Sequence, residues 1–575
     1  MNRVLYAPRE LPPLPPDVSH DDAYASWVQQ REELRIRSRA AATHEELALV
    51  MIAGHLPSTM TEQTLRSLRR QTSSRWTLTI TGTTASLREV DALVRACLPR
   101  HLRGRIRPLA FTPGTAARDL LHKGVAANDG HAVALVFPGD IWAPDAVAIL
   151  GSTVSDTSVL YADDDQVTTS GIHHAPRFKP DFSPDFLLSS AYIGRPLAMG
   201  SEVARHLPTL IADDPIALEH ECALAACEIA DSVDHIAEVL CHRSEIGDHG
   251  PAGPSAVDYI CAALGRRAEP AEVTVGPIPG TFHIRRPATS GETVSILVPF
   301  RDEPRLLRTC VDSVTATTRS HDIELVLIDN GSSDPEVLTL LEHLDTRDDV
   351  RVISDPRPFN WAQLNNTGAR IAGGDVLLFL NNDIEAHREG WLSALVGHAL
   401  RTDVGAVGAR LVYPDRRLQH CGVVVGLIGA AGHPLIGLES GEGGYMNMAL
   451  ATRECSAVTG ACLASRREVF NLLNGFDESL GVDLNDVDYC LRALAAGYRT
   501  VYEPAAELVH HESPSRGTAG GIDDILNFIA RWKDYISAGD PYFNVHLTRT
   551  SVSCGLASSE EGDRWNQWHS ALVDR

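Results

Sequence analysis

This 575-residue chain has no stretch that is both long and uniformly apolar. The longest candidate, Cys421 to Leu438, contains five glycines, His433 and Pro434. It reads as a glycine-rich loop or strand pair rather than a membrane span of ~20 apolar residues. The opening residues, MNRVLYAPRELPPLPP, lack the hydrophobic centre of a signal peptide, so none is expected. The eleven cysteines form no CxxC pair and no regular spacing, which leaves them as reduced, small core residues of a cytosolic protein. Basic residues are outnumbered: 51 Lys and Arg face 75 Asp and Glu, for a net charge of −24. That balance argues against nonspecific binding to nucleic acid or anionic lipid. An anionic nucleotide substrate would need local compensation from a metal or from arginines.

The length calls for two or more domains, and a composition of 44% hydrophobic and 22% charged residues is ordinary for globular proteins. Residues 1–20 are proline-rich and read as extended, and Asp22 to Leu49 as helical, so residues 1–46 form an arm. From Glu292 the pattern alternates: strand Val294–Val298, helix Pro304–Thr315, strand Glu324–Ile328, helix Pro335–Leu344, strand Val350–Ile353, helix Trp361–Ala372, strand Asp375–Leu380. This predicts a mostly parallel sheet with helices on both faces. The first half repeats the plan about 245 residues earlier. Leu47–Ala53 parallels Val294–Phe300, Trp76–Ile80 parallels Glu324–Ile328, and Val133–Ile141 parallels Val376–Ile384. Later, Ala237–His242 parallels Ala506–His511 at a longer offset. A tandem duplication is expected, the alternative being two unrelated α/β domains. The expected boundaries are 47–249, a linker at 250–292, 293–517, and a helical tail at 518–575.

Three acidic positions and one histidine pair carry the chemistry. Asp329 ends a strand and leads into Asn330-Gly331-Ser332. There it can accept a base-ring N–H, or simply form an Asx turn. Asp383 follows Asn381-Asn382 at a strand end, where ligands of open α/β sheets gather. Asp383 can hold Mg²⁺ or Mn²⁺, with Asn381 as a neutral oxygen donor; otherwise the segment is a polar strand-to-helix turn. Asp486 opens a helix whose buried face is Val487, Cys490, Leu491 and Leu494. It can point into a cleft as a general base. Asp488 reads more as a cap on the helix dipole. His510 and His511 end a strand, so one of them faces the site and can complete a metal shell. Arg516 can meet a diphosphate.

Together, VSILVP at 294–299, IDNGS at 328–332, LNND at 380–383, TGAC at 459–462, GFDE at 475–478, NDVD at 485–488 and HHESPSRG at 510–517 resemble inverting family 2 glycosyltransferases of the GT-A fold. The tandem-domain enzymes of bacterial O-antigen, capsule and cell-wall polysaccharide assembly, rhamnosyltransferase-like among them, are similar. The resemblance covers roughly residues 293–545. It implies an α/β architecture of two tandem GT-A (Rossmann-like, mostly parallel) domains. It implies a nucleoside diphosphate sugar donor, dTDP- or UDP-linked, and a glycan or lipid-linked acceptor. Pro299, Asp302, Asp329, Asn330, Asn382 and Arg516 would bind the donor. Asp383, Asn381, His510 and His511 would hold Mg²⁺ or Mn²⁺. Asp486 would be the catalytic base, and Thr459, Gly460, Ala461 and Asp488 would border the acceptor. Asn381 and Asn485 stand where the family more often has acids.

From Leu47 to Arg243 the first half resembles the same family but departs at the chemistry. Thr81-Gly82-Thr83 replaces the Asp329 segment, and Pro138-Gly139 precede Asp140. Leu218-Glu219-His220-Glu221 stands near the base position. A degenerate, catalytically impaired first domain is expected, the rival being a bifunctional enzyme using Asp140 and Glu221. A protein that binds sugar nucleotides or glycans without turnover is the other alternative. The expected location is the cytoplasm, with peripheral contact at the inner face of the membrane.

Overall fold

The structure is a computed structural model describing residues 21–38, 46–54, 57–128, 130–244, 254–287, 291–512, 522–557 and 561. The chain forms two compact units. One takes residues 16–182 and 190–269; the other takes residues 183–189 and everything from Pro270 onward.

In the first unit the strands are β1 (Leu47–Ile52), β2 (Trp76–Thr83), β3 (Ile106–Phe111), β4 (Ala132–Leu135), β5 (Ile141–Trp142), β6 (Ser158–Val167), β7 (His173–Arg177), β8 (Leu197–Met199) and β9 (Ser232–Ser244). They make one sheet in the order β3-β2-β1-β4-β8-β6-β9-β5, with β7 on β6. In the second unit a hairpin of β10 (Glu272–Val275) and β11 (Phe282–Arg285) precedes β12 (Thr293–Phe300), β13 (Asp322–Asp329), β14 (Val350–Ser354), β15 (Val376–Leu380), β16 (Ile384–Glu385), β17 (Val404–Val412) and β18 (Leu418–His420). β19 (Val424–Val425) and β20 (Ala431–Gly432) pair apart from the main sheet, and β21 (Arg453–Glu454), β22 (Cys462–Arg466) and β23 (Arg499–His510) complete it. The main order is β14-β13-β12-β15-β22-β17-β23-β16, with β18 on β17. Strand for strand, order and direction repeat those of the first unit. The small closing strand keeps even its register, Ile141 opposite His242 and Ile384 opposite His510. The tandem duplication read from the sequence is therefore a duplication of topology.

Helices cover both faces of the sheets, so the central strands are apolar along their whole length. Every residue of β15 is buried, and Val294, Ile296, Leu327, Leu378 and Val407 belong to one core. A second core is built on Leu49, Leu78, Ile80, Ala134 and Leu160 in the first unit. Within each sheet one central strand, β8 or β22, runs against both of its neighbours. A reversed strand starts where its neighbours end. That brings Thr459-Gly460-Ala461, just ahead of β22, to the carboxyl edge where β13, β15 and β23 finish.

Four boundaries differ from expectation. The stretch expected as a linker folds into a helix, Pro254–Arg266, and the β10–β11 hairpin. The helix packs on Pro215–Ile229, with His220 bonded to Tyr259 at 2.9 Å and Arg266 to Glu228 at 2.7 Å, so it belongs to the first unit. The N-terminal helix is described over Asp21–Ser38, where Arg35 ties it to Asp145, and Leu47 already opens β1. The C-terminal segment carries the helix Ile522–Ala538, and Tyr542–Ala557 beyond it is non-helical. Residues 183–189 join the second unit through charge. Asp185 lies 2.7–3.0 Å from Arg286, Arg401 and Arg499, and these cations hold its carboxyl well below the usual range despite burial. The Cys421–Leu438 stretch is indeed a strand pair and loop. No described helix is long and apolar enough to cross a membrane.

Candidate active site

Asp329 ends β13, and its Oδ1 accepts the Ser332 N–H at 2.8 Å. Asn330 does not face a ligand with its amide nitrogen. Nδ2 donates to the carbonyls of Asp355 and Arg357 at 2.7 and 2.8 Å, closing the loop after β14. Asp302 likewise shapes this edge. Its Oδ1 accepts the N–H groups of Ser333 and Asp334, which hold its carboxyl below the usual value. Asp302 and Glu303 both sit at left-handed φ, 53° and 57°, a local strain that tends to collect at functional loops. Pro299 lies opposite Ile328 within the sheet.

Asp383 is 5% exposed, and its Oδ1 lies 3.1 Å from His510 Nε2. The other ring nitrogen, Nδ1, is 2.6 Å from Gln419 Oε1. A carbonyl oxygen can only accept, so Nδ1 carries the proton, and in the neutral ring this leaves the Nε2 lone pair on the Asp383 side. An imidazole oriented in this way by an outer hydrogen bond is a usual metal-ligand arrangement. A divalent cation therefore fits between Asp383 and His510. His511 turns the other way: its Nε2 is 2.8 Å from Glu385, and only its backbone N–H reaches Asp383. Asn381 also departs from expectation, because its Oδ1 accepts the Trp361 indole N–H at 3.1 Å. Asn382, beside it, is half-buried. Arg516 lies outside the described residues.

Asp486 stands at the first turn of the helix Asn485–Ala495. Its Oδ2 accepts the Gly460 N–H at 2.6 Å and its Oδ1 the Val487 N–H at 2.8 Å. Burial raises its pKa despite these hydrogen bonds. Gly460 is required by space: a Cβ there would lie 2.7 Å from the Trp361 ring and 3.3 Å from Asp486. Ala461 accepts the Asn381 N–H at 3.0 Å, and Thr459 Oγ1 accepts the Ala461 N–H at 3.3 Å. Trp361 thus bridges Asp486's neighbour Gly460 and Asp383's neighbour Asn381. In the sequence Trp361 is legible only as the start of a helix. Its signal was an aromatic directly after the capping Asn360, at a helix start facing the carboxyl edge. Gln419 carried no comparable signal.

Asp488 lies away from this group. It is fully buried, and its oxygens take Arg492 at 2.8 Å, Arg531 at 2.7 Å and the Trp532 indole at 3.0 Å. The acceptor-side role expected for it gives way to clamping Ile522–Ala538 onto the Asp486 helix. Asp488→Ala would leave the half-buried Arg492 and the more exposed Arg531 without their buried partner, and a loss of about 2 kcal/mol is expected in chemical denaturation.

Among the described residues the first unit lacks the counterpart of this arrangement. Counted from the equivalent pairs Leu47–Trp76 and Val294–Ile323, Gly82 takes the place of Asp329 in register, so no carboxylate stands there. Asp140, the counterpart of Asp383, bonds the Phe137 N–H and faces Arg195 at 3.6 Å, with burial pushing its pKa up to about 6. Glu221 caps the backbone of Ile211 and Ala212 at 2.8–3.0 Å.

Residues 295–471 match the family model described as Glycosyl transferase family 2. The chain carries a family 2 glycosyltransferase domain. The O-antigen biosynthesis protein RfbC of Myxococcus xanthus is 35% identical over 97% of this chain and 45% of that protein. An uncharacterized protein, y4gI, of Sinorhizobium fredii is 30% identical over 92% of this chain and 61% of that protein. The N-acetylglucosaminyl-diphospho-decaprenol L-rhamnosyltransferase of Mycobacterium tuberculosis is 27% identical over 39% of this chain and 76% of that enzyme. The chain spans about half the length of the first two relatives. The family 2 domain lies wholly in the second unit, where Asp329 and Asp383 sit, and the first two matches extend across both units.

Proposed function

We propose that the second unit moves a sugar from a nucleoside diphosphate donor, dTDP- or UDP-linked, to a hydroxyl of a glycan or lipid-linked acceptor, with inversion, during surface polysaccharide assembly. The observation that carries this reading is Asp486. A half-buried carboxylate of raised basicity is pinned by Gly460 N–H and coupled through Trp361 to the edge that holds Asp383. Asp486 takes the proton from the acceptor hydroxyl as that oxygen attacks the anomeric carbon from the face opposite the leaving diphosphate. Asp329 receives the base through its second oxygen, while Asp302 and Asn330 hold the surrounding loops. Asp383 and His510 would hold Mg²⁺ or Mn²⁺, which would supply charge neutralisation for the leaving diphosphate. Arg516 is assigned to the same diphosphate. Thr459, Gly460 and Ala461 border the acceptor.

In this reading the first unit does no transfer, because Arg195 replaces histidine beside Asp140 and Glu221 is spent on backbone amides. It serves as a glycan-binding or scaffolding unit. The location follows from the acceptor: the cytoplasm, at the inner face of the membrane.

The test is a panel of nucleoside diphosphate sugars with Mn²⁺, followed by thermal shift and by product formation with lipid-linked acceptors. One donor class should raise the melting temperature and be consumed. Binding without turnover on every donor would make the chain a sugar-nucleotide-binding protein instead.

A further inference from the structure

We propose that the first unit holds its own divalent transition-metal ion, of the Zn²⁺ class, on Asp165, His173 and His242. This site is independent of the transfer reaction assigned to the second unit. The three residues lie on β6, β7 and β9, neighbouring strands of one sheet, so their donors are set on rigid backbone. Asp165 Oδ2 is 2.9 Å from His173 Nδ1, and Asp165 Oδ1 is 2.7 Å from His242 Nδ1. The two rings meet edge-on at 4.5 Å, and all three donor atoms lie within 4.8 Å of one another.

Two imidazoles and one carboxylate make a tetrahedral N₂O set with one position left for water. Donors ~2.0 Å from a tetrahedral ion stand about 3.3 Å apart, so the ion needs Asp165 to part from each histidine by roughly half an ångström. Outer partners are already in place. His242 Nε2 is 3.0 Å from Glu32, and the Tyr24 hydroxyl donates to Asp165 at 2.9 Å. A carboxylate behind a ligating histidine fixes its ring and raises its donor strength. Asp165 and His242 are buried, while the His173 side chain is 27% exposed and gives the ion its way in. The duplication adds a second reason, which rests on the cation site proposed for the second unit. His242 occupies the strand position of His510, opposite Ile141 as His510 is opposite Ile384. In the first unit that histidine has exchanged the Asp140 side for Asp165, which shifts the candidate cation site instead of erasing it.

The full chain carrying Asp383→Asn, which removes the second unit's metal carboxylate, is loaded with Co²⁺ or Zn²⁺ and dialysed. About one ion per chain should remain by elemental analysis, and Co²⁺ should give the visible d–d absorption of a low-coordinate site. Adding His173→Gln should abolish both. Adding Glu32→Gln instead should weaken retention by about 10–100-fold with the ion still bound, which decides the matter if the His173 variant fails to fold. No retained ion in the Asp383→Asn chain, or retention unchanged by both further substitutions, overturns the site.

Discussion

Asp486→Asn is expected to lower sugar transfer by about a thousandfold while donor binding survives. Asparagine keeps the shape of the side chain and still offers an oxygen to the Gly460 N–H, 2.6 Å away in the native chain. It cannot take a proton. The lost interaction exists only as the acceptor oxygen attacks, so kcat should fall and the donor KM should hardly move. Wild-type activity should also show the carboxylate in its pH profile. Burial raises the Asp486 pKa. The base is therefore lost as pH falls through a value above that of an ordinary aspartate, and activity rises with pH across the same limb. An asparagine variant as fast as wild type, or an acidic limb that persists unchanged in it, would remove Asp486 from the base role.

Asp383→Asn should abolish the Mn²⁺-dependent part of donor stabilisation and cut turnover by about a hundred- to thousandfold. The substitution is mild for the fold. His510 Nε2, 3.1 Å from Asp383 Oδ1, can accept from the new amide, and Gln419 still orients the ring. What disappears is the negative charge that pairs with a divalent cation. His511→Ala is the matched control: its ring is committed to Glu385, so the Mn²⁺ response should remain. Thermal shifts with donor, with and without Mn²⁺, separate the two variants. If His511→Ala loses the response and Asp383→Asn keeps it, the cation is not held where proposed.

Much of this was legible in the chain. The helix Pro335–Leu344 was read to the residue, because Asp334 caps it and proline opens it. β15 was visible as five apolar residues in a row, since a strand covered on both faces needs no polar position. The two halves betrayed their kinship through these buried strands. The reading went wrong where composition stood in for pattern. Proline and glycine at 250–292 suggested a linker, yet Tyr259, Ile260 and Ala263 form a buried helix face there.

Side-chain commitments were beyond the sequence. Asp486 and Asp488 are two residues apart in one motif, yet one meets Gly460 and the other is consumed by Arg531 and Trp532. That choice depends on where the helix Ile522–Ala538 packs. His510 and His511 were known to face opposite ways, but not which faced Asp383. The answer came from the register of β23 against β16. Asp165, His173 and His242 are spread over 78 residues (165 to 242 inclusive) and meet only because β7, β6 and β9 are neighbours. Local periodicity and strand-end chemistry are written in consecutive residues, so the sequence by itself determined the strands, the duplication and the edge where chemistry gathers. Which donor faces which acceptor is decided by strands and helices distant in the chain, and only the tertiary structure brings those together.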